Sequence, residues 1–150
     1  MNGSRLIIVC GLPGAGKTMH AKQLATQTGA VRLSADDWME ALGFNLWDER
    51  APFRIEAIQW QHAQMLLRLG QEVIIEWGIW GQDERDRLRE GAQALGAAVE
   101  LYLLDPPIEM LYQRVRMRAT EDPPIELADL RRWSRRFQRP TPEELAGYDH

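Results

Sequence analysis

Apolar and polar positions along the chain follow two different periods. Short apolar runs without alternation occur at Arg5–Cys10, Val31–Leu33, Glu72–Glu76 and Val99–Leu104, the pattern expected of strands buried on both faces. Stretches with helical spacing separate them. The clearest is Pro52–Leu69, where Phe53, Ala57, Trp60, Ala63 and Leu67 recur on one face. Pro52 suits its first position and Gly70 its stop. Met19–Thr28, Asp83–Leu95 and Pro107–Arg118 predict further helices. Alternating strands and helices imply a mainly parallel α/β sheet with ligands at the carboxyl ends of the strands. Pro123-Pro124 and Pro140-Thr141-Pro142 break the last third into shorter pieces, with a mobile loop expected over Glu121–Pro124. No repeat or low-complexity segment is present.

The first apolar run leads directly into Gly11-Leu12-Pro13-Gly14-Ala15-Gly16-Lys17-Thr18, which fits G-x-x-x-x-G-K-[ST] without a mismatch. Chance rarely produces this motif between a strand and a helix. The glycines let backbone N–H groups wrap an anion, and the following helix adds its positive dipole end. Lys17 can reach β- and γ-phosphates, and Thr18 can offer its hydroxyl to Mg²⁺. Gly11 through Met19 is therefore the expected nucleotide-phosphate site. A dinucleotide fingerprint fits less well: Asp36 lies 20 residues beyond Gly16, but the glycine order is G-x-x-G-x-G and Lys17-Thr18 suits phosphates with a metal.

Composition narrows the class. A chain of 150 residues, 45% hydrophobic and 27% charged, is expected to form one domain with a real core. Its net charge of −4 gives no general attraction to nucleic acid or an anionic membrane. No apolar stretch reaches transmembrane length, and Leu6–Leu12 is too short for a secretory signal. Cys10 is the lone cysteine, so no internal disulfide forms and a small buried hydrophobe is expected. These features point to the cytoplasm. Of 18 basic residues only Lys17 and Lys22 are lysines, and neither follows Asn. That removes a guanine-reading N-K-x-D motif and argues against a GTPase switch. The length also argues against large ring-forming ATPases with a helical lid domain.

The second strand runs into Ser34-Ala35-Asp36-Asp37-Trp38, which places Asp36 at the sheet edge that carries the P-loop. There it could orient or deprotonate an attacking hydroxyl, or Ser34 or Asp36 could simply cap a helix. Asp37 is the second candidate, better placed in a first helical turn. Glu76, after the third strand, could hold Mg²⁺ through water, act as the base, or contact an acceptor. Arg114 and Arg118 share a helix face, while Arg116 points elsewhere. They suit either closure over a triphosphate or a solvated face paired with Glu121 and Asp122. Arg131, Arg132, Arg135, Arg136 and Arg139 alternate with Trp133 and Phe137, as an amphipathic helix docked on the sheet or, less favourably, a nucleic-acid strip. Among six tryptophans, Trp38, Trp77 and Trp80 lie just beyond strand ends and could line an aromatic acceptor pocket. Trp60 and Trp133 suit core packing. His20, His62 and His150 show no metal-ligand spacing.

Together these features resemble the small P-loop kinases related to zeta toxins, chloramphenicol phosphotransferase and the polynucleotide 5′-kinase domain. The resemblance spans about Arg5 to Arg139 and rests on three further features: Asp36-Asp37-aromatic, the Glu84-Arg85 helix, and Arg114-x-x-x-Arg118. It implies a three-layer α/β/α sandwich with strand order 2-3-1-4, ATP and Mg²⁺ as cofactors, and a single domain over 1–150. It further implies a lid near 112–126, followed by a C-terminal helical segment near 125–147. By resemblance Asp36 is the general base, Arg114 lies near adenine and Arg118 near the phosphates. Polynucleotide kinases carry Arg two residues after the second Asp, where this chain has Met39, which counts against an oligonucleotide acceptor. Glu76-Trp77-Gly78-Ile79-Trp80 also departs from the nucleic-acid kinases and looks more like zeta-toxin-like ATP-binding proteins. A true toxin would have an antitoxin partner. The expected activity is transfer of the γ-phosphate of ATP to a hydroxyl of a small molecule such as an antibiotic, nucleoside or sugar nucleotide. The alternatives are 5′-phosphorylation of an oligonucleotide and a non-catalytic ATP-binding regulatory module.

Overall fold

A computed structural model describes residues 3–45 and 47–149; His150 lies outside them. The chain runs β1 (Arg5–Gly11), α1 (Lys17–Thr28), β2 (Val31–Ser34), α2 (Ala35–Leu42), α3 (Ala51–Arg68), β3 (Val73–Glu76), α4 (Gln82–Ala94), β4 (Ala98–Leu104), α5 (Ile108–Arg118), α6 (Leu127–Arg136) and α7 (Pro142–Leu145). The four strands form one parallel sheet in the order β2-β3-β1-β4. Their side chains alternate between two apolar clusters. Ile7, Val9 and Ile74 pack with Ala21 of α1 on one face, while Leu6, Ile8, Val73 and Ile75 pack with Ala63, Leu67, Leu88 and Ala92 of α3 and α4 on the other. The result is a three-layer α/β sandwich. In register, Val9 pairs with Glu76 and Ser34 pairs with Glu76, so the ends of three strands meet at one edge.

The long helix α3 presents a different face from the expected one. Its buried stripe is Ala51, Ile55, Gln59, Ala63 and Leu67, while Phe53 is 67% exposed. The cause is Gln59, a polar residue that is fully buried because both ends of its amide are bonded. Its Nε2 donates to the Ser34 carbonyl at 3.0 Å, and its Oε1 accepts from the Trp77 indole at 2.6 Å. Satisfying that amide turns Phe53, Ala57 and Trp60 towards a neighbouring cavity. The C-terminal helical segment is two helices, α6 and α7, parted at residues 137–141, where Pro140 cannot extend a helix. No helix among the described residues is long and apolar enough to cross a membrane.

The carboxyl-terminal residues lock onto the layer containing α4. Arg85 is completely buried and donates to both Glu144 oxygens, at 2.7 and 2.9 Å, and to the carbonyls of Ile79 and Gln138. The Ile79 carbonyl belongs to a β-branched residue at φ 46, a costly conformation that this network holds in place. Removing the cation would leave a buried carboxylate unpaired. Arg85→Met is therefore expected to lower the unfolding free energy by about 3–5 kcal/mol, seen as a drop in urea midpoint. Glu143→Gln, exposed on the same turn, should stay within about 0.5 kcal/mol of the parent.

Candidate active site

The loop between β1 and α1 needs glycine for two separate reasons. Gly14 adopts φ 84, and a Cβ there would stand 2.7 Å from the Leu111 carbonyl oxygen. Gly16 adopts φ 94, and a Cβ would meet the Arg114 guanidinium at 3.2 Å. The backbone can thus curl tightly under α5. No side chain caps α1 and no acid occupies its first turn, so the free N–H groups and positive dipole end remain available to an anion. Lys17 Nζ donates to the carbonyls of Gly11 and Leu12, at 2.9 and 3.1 Å, inside the same curl. Burial pushes its ammonium below the ordinary value. The neighbouring Asp36 and Glu76 carboxylates pull it back up, and Arg118 pushes it down. The residues of four separate elements therefore converge on Lys17. This donor set fits the phosphates of a nucleotide.

Thr18 and Glu76 form the second half of the site. The Thr18 hydroxyl donates to Glu76 Oε2 at 2.8 Å, and Arg32 Nε donates to Oε1 at 2.7 Å. Arg32 also bonds Asp37 Oδ2 at 2.7 Å, so the second acid of the pair is held in an ion pair. Ser34 caps α2 by accepting from the Asp37 N–H at 3.2 Å. Capping thus falls to Ser34 and ion pairing to Asp37. Among the described residues the exposed carboxylate of Asp36 makes no hydrogen bond or ion pair. No group of three or more His, Cys, Asp or Glu among the described residues could hold a metal alone. One hydroxyl beside one carboxylate suits Mg²⁺, which keeps waters and takes substrate phosphates as further ligands.

A cleft of about 390 Å³ opens between these groups and the loop after α5, lined by Thr18, Asp36, Asp37, Arg118 and Glu121. Arg118 lines it and donates to Glu121 at 2.8 Å. Arg114, one turn earlier, straps onto the Gly14 carbonyl at 3.1 Å, whereas Arg116 points away over the Tyr112 ring. The expected mobile loop is tied to the α2–α3 connection: Asn45 donates to the Asp122 carbonyl and the Trp47 indole to that of Pro123. Of the more distant arginines, Arg132 pairs with Asp129 and Arg139 with Asp105. Met19 is 71% exposed beyond the loop.

The tryptophans divide three ways. Trp38 packs edge-on against His62. Trp80 stands in a row with Trp133 and Trp47, the Trp133 centroid lying 5.9 Å from that of Trp80 and 5.8 Å from that of Trp47. Trp77 is buried and, with Trp60, lines a second cavity of about 260 Å³ between α3 and α4 that also contains Glu56 and Glu84. Arg32, Gln59 and Glu56 escape sequence reasoning. For Arg32 a signal exists: on β2 it shares a face with Ser34, whose register partner is Glu76.

The architecture recurs elsewhere. A family model described as an AAA domain matches residues 6–140. No curated protein matches significantly. Among solved structures, a candidate kinase from Chloroflexus aurantiacus J-10-fl superposes with a TM-score of 0.74 at 24% identity, covering 89% of this chain and 76% of that one. A chain of the Pnkp1/Rnl/Hen1 RNA repair complex gives 0.76 at 22% identity, covering 90% and 44%. A gluconokinase from Sinorhizobium meliloti 1021 gives 0.64 at 19% identity, covering 91% and 77%. At these identities the likeness is one of fold.

One titration is accessible in the second cavity. Burial, then the nearby Glu84 and Asp36 carboxylates, raise the Glu56 carboxyl from 4.5 to about 7. Between those values the folded chain binds this proton and the unfolded chain does not, so the contribution to stability falls as pH rises through the window. Glu56→Gln is expected to match the parent near pH 4 and to exceed it in urea midpoint at pH 8.

Proposed function

The chain belongs to the AAA domain family, and from that premise we propose that it transfers the γ-phosphoryl group of ATP to a hydroxyl of a small molecule. The observation that carries this reading is the Asp36 carboxylate, which lines the cleft with Thr18 and Arg118 and makes no ion pair among the described residues, while its neighbour Asp37 is occupied by Arg32. An acid that must accept a proton is better left without a cationic partner.

In the proposed reaction the acceptor hydroxyl donates a hydrogen bond to Asp36. Its oxygen forms the new bond to phosphorus as the bond to the β-phosphate bridging oxygen breaks, the proton passes to Asp36, and ADP leaves. Lys17 and the loop N–H groups hold the phosphates, and Arg118 neutralises charge once it exchanges Glu121 for a phosphate oxygen. Thr18, with Glu76 behind it, would hold Mg²⁺, whose chemistry is to offset the charge on the phosphate oxygens. ATP is favoured over GTP by the missing guanine-reading motif. Two features count against a polynucleotide kinase and for kinship with zeta toxins and chloramphenicol phosphotransferase. Met39, in place of an arginine, is buried in the core and offers no contact to a nucleic acid, and Glu76-Trp77-Gly78-Ile79-Trp80 departs from the nucleic-acid kinases.

Asp36→Asn is expected to lower transfer of labelled γ-phosphate to a mixed acceptor panel by about 10²–10⁴-fold while ATP affinity stays unchanged. Undiminished transfer by this variant would remove Asp36 as the base. Loss of ATP binding would mean its role is structural.

A further inference from the structure

We propose that the cavity between α3 and α4 receives the body of the acceptor, and that it selects an alcohol carrying an organic ammonium group: the apolar part against Trp60 and Trp77, the cation between Glu56 and Glu84. The link to phosphate transfer rests on the reading given above; the ammonium preference does not.

Three observations carry it. The cavity, about 260 Å³, is walled by Phe53, Trp60 and Trp77, and aromatic faces attract ammonium groups through their negative quadrupole. It also holds two carboxylates, neither of which makes an ion pair among the described residues, although the exposed Arg87 lines the same space. A cation supplied by a ligand would complete both. The same carboxylates repel phosphate-bearing acceptors, which counts against sugar nucleotides and oligonucleotides.

The cavity is also coupled to the site of chemistry. Asp36 is near enough to help raise the Glu56 carboxyl, and Gln59 joins the Trp77 indole to the Ser34 carbonyl at the start of the helix that carries Asp36. The floor of the cavity and the candidate base thus share one scaffold. An alcohol anchored by its amine at Glu56 could direct its hydroxyl towards Asp36.

The test uses a matched series with one aromatic body: phenylalaninol, its N-acetyl derivative and 3-phenyllactate. These are titrated calorimetrically into the full chain loaded with Mg²⁺ and a non-hydrolysable ATP analogue. Phenylalaninol should bind at least tenfold more tightly than the N-acetyl compound, and 3-phenyllactate most weakly. That preference should vanish in Glu56→Gln and Glu84→Gln and persist in Glu90→Gln, whose carboxylate is exposed on α4 outside the cavity. Gly91→Ala is an independent probe, since its Cβ would stand 2.8 Å from the Trp60 ring and force this wall of the cavity to shift. It should weaken the charged and the neutral aryl alcohol alike. Equal binding of those two alcohols, no binding of any of the series, or a preference surviving both glutamine variants would overturn the proposal. Transfer of labelled phosphate is scored separately. Transfer with no ammonium preference would sink the cavity assignment alone. An ammonium preference with no phosphate reaching any alcohol would sink the phosphotransfer reading alone.

Discussion

Everything at the carboxyl edge of the sheet depends on neutralising one buried carboxylate. The Glu76 side chain is 1% exposed, and an unpaired charge at such a depth would cost several kcal/mol. Its partners come from either side: Arg32 and Ser34 from β2, Thr18 from the first turn of α1. Satisfying Glu76 therefore sets the position of the phosphate loop relative to the second strand. Because Arg32 also takes Asp37, and Ser34 caps the helix, Asp36 is left as the free acid beside Lys17. A single electrostatic requirement thus orders both the groups that would hold a nucleotide and the group that would activate its attacker.

A buried amide performs the corresponding task on the opposite face. Gln59 bridges the end of β2 to Trp77 and sets the rotation of α3. With that rotation fixed, aromatic side chains expected in the core become the wall of a cavity. The consequence is a division across the sheet, with the phosphate loop on the α1 side and an aromatic, acidic recess on the α3–α4 side. Asp36 lines the cleft beside Thr18 and is near enough to Glu56 to act on its carboxyl.

The loop joining β3 to α4 separates these regions and is held from the far end of the chain. Arg85 bonds the Ile79 carbonyl, and the Gln138 N–H donates to the Trp80 carbonyl at 2.8 Å. Trp80 then packs at a tilt against Trp133, and Trp133 against Trp47, which in turn bonds the loop after α5. The loop after α5, the α2–α3 connection and the loop joining β3 to α4 consequently share one aromatic row. A change in any one of them must be accommodated by the other two.

The alternation of apolar runs with helical patterns determined the α/β class, and the P-loop motif determined the phosphate site, because both depend on contacts within a few residues. Strand order followed only from resemblance. Thr18, Lys17 and Asp36 could be named early, since each sits at the end of an element whose direction the parallel sheet dictates. Gln59 and Glu56 could not: a buried amide is tolerated only because distant partners satisfy it, and Glu56 faces a cavity whose other walls come from residues far along the chain, so no local spacing reveals either. Arg32 left one signal, its place on the same face of β2 as Ser34. Likewise, whether Asp36 or Asp37 stays free depends on where one guanidinium from the neighbouring strand is spent. The sequence by itself determined which chemistry the chain can hold. Tertiary structure alone decided which acid is left unpaired, which face of α3 is buried and where an acceptor could lie, because each of these is settled by bonds between residues far apart in the chain.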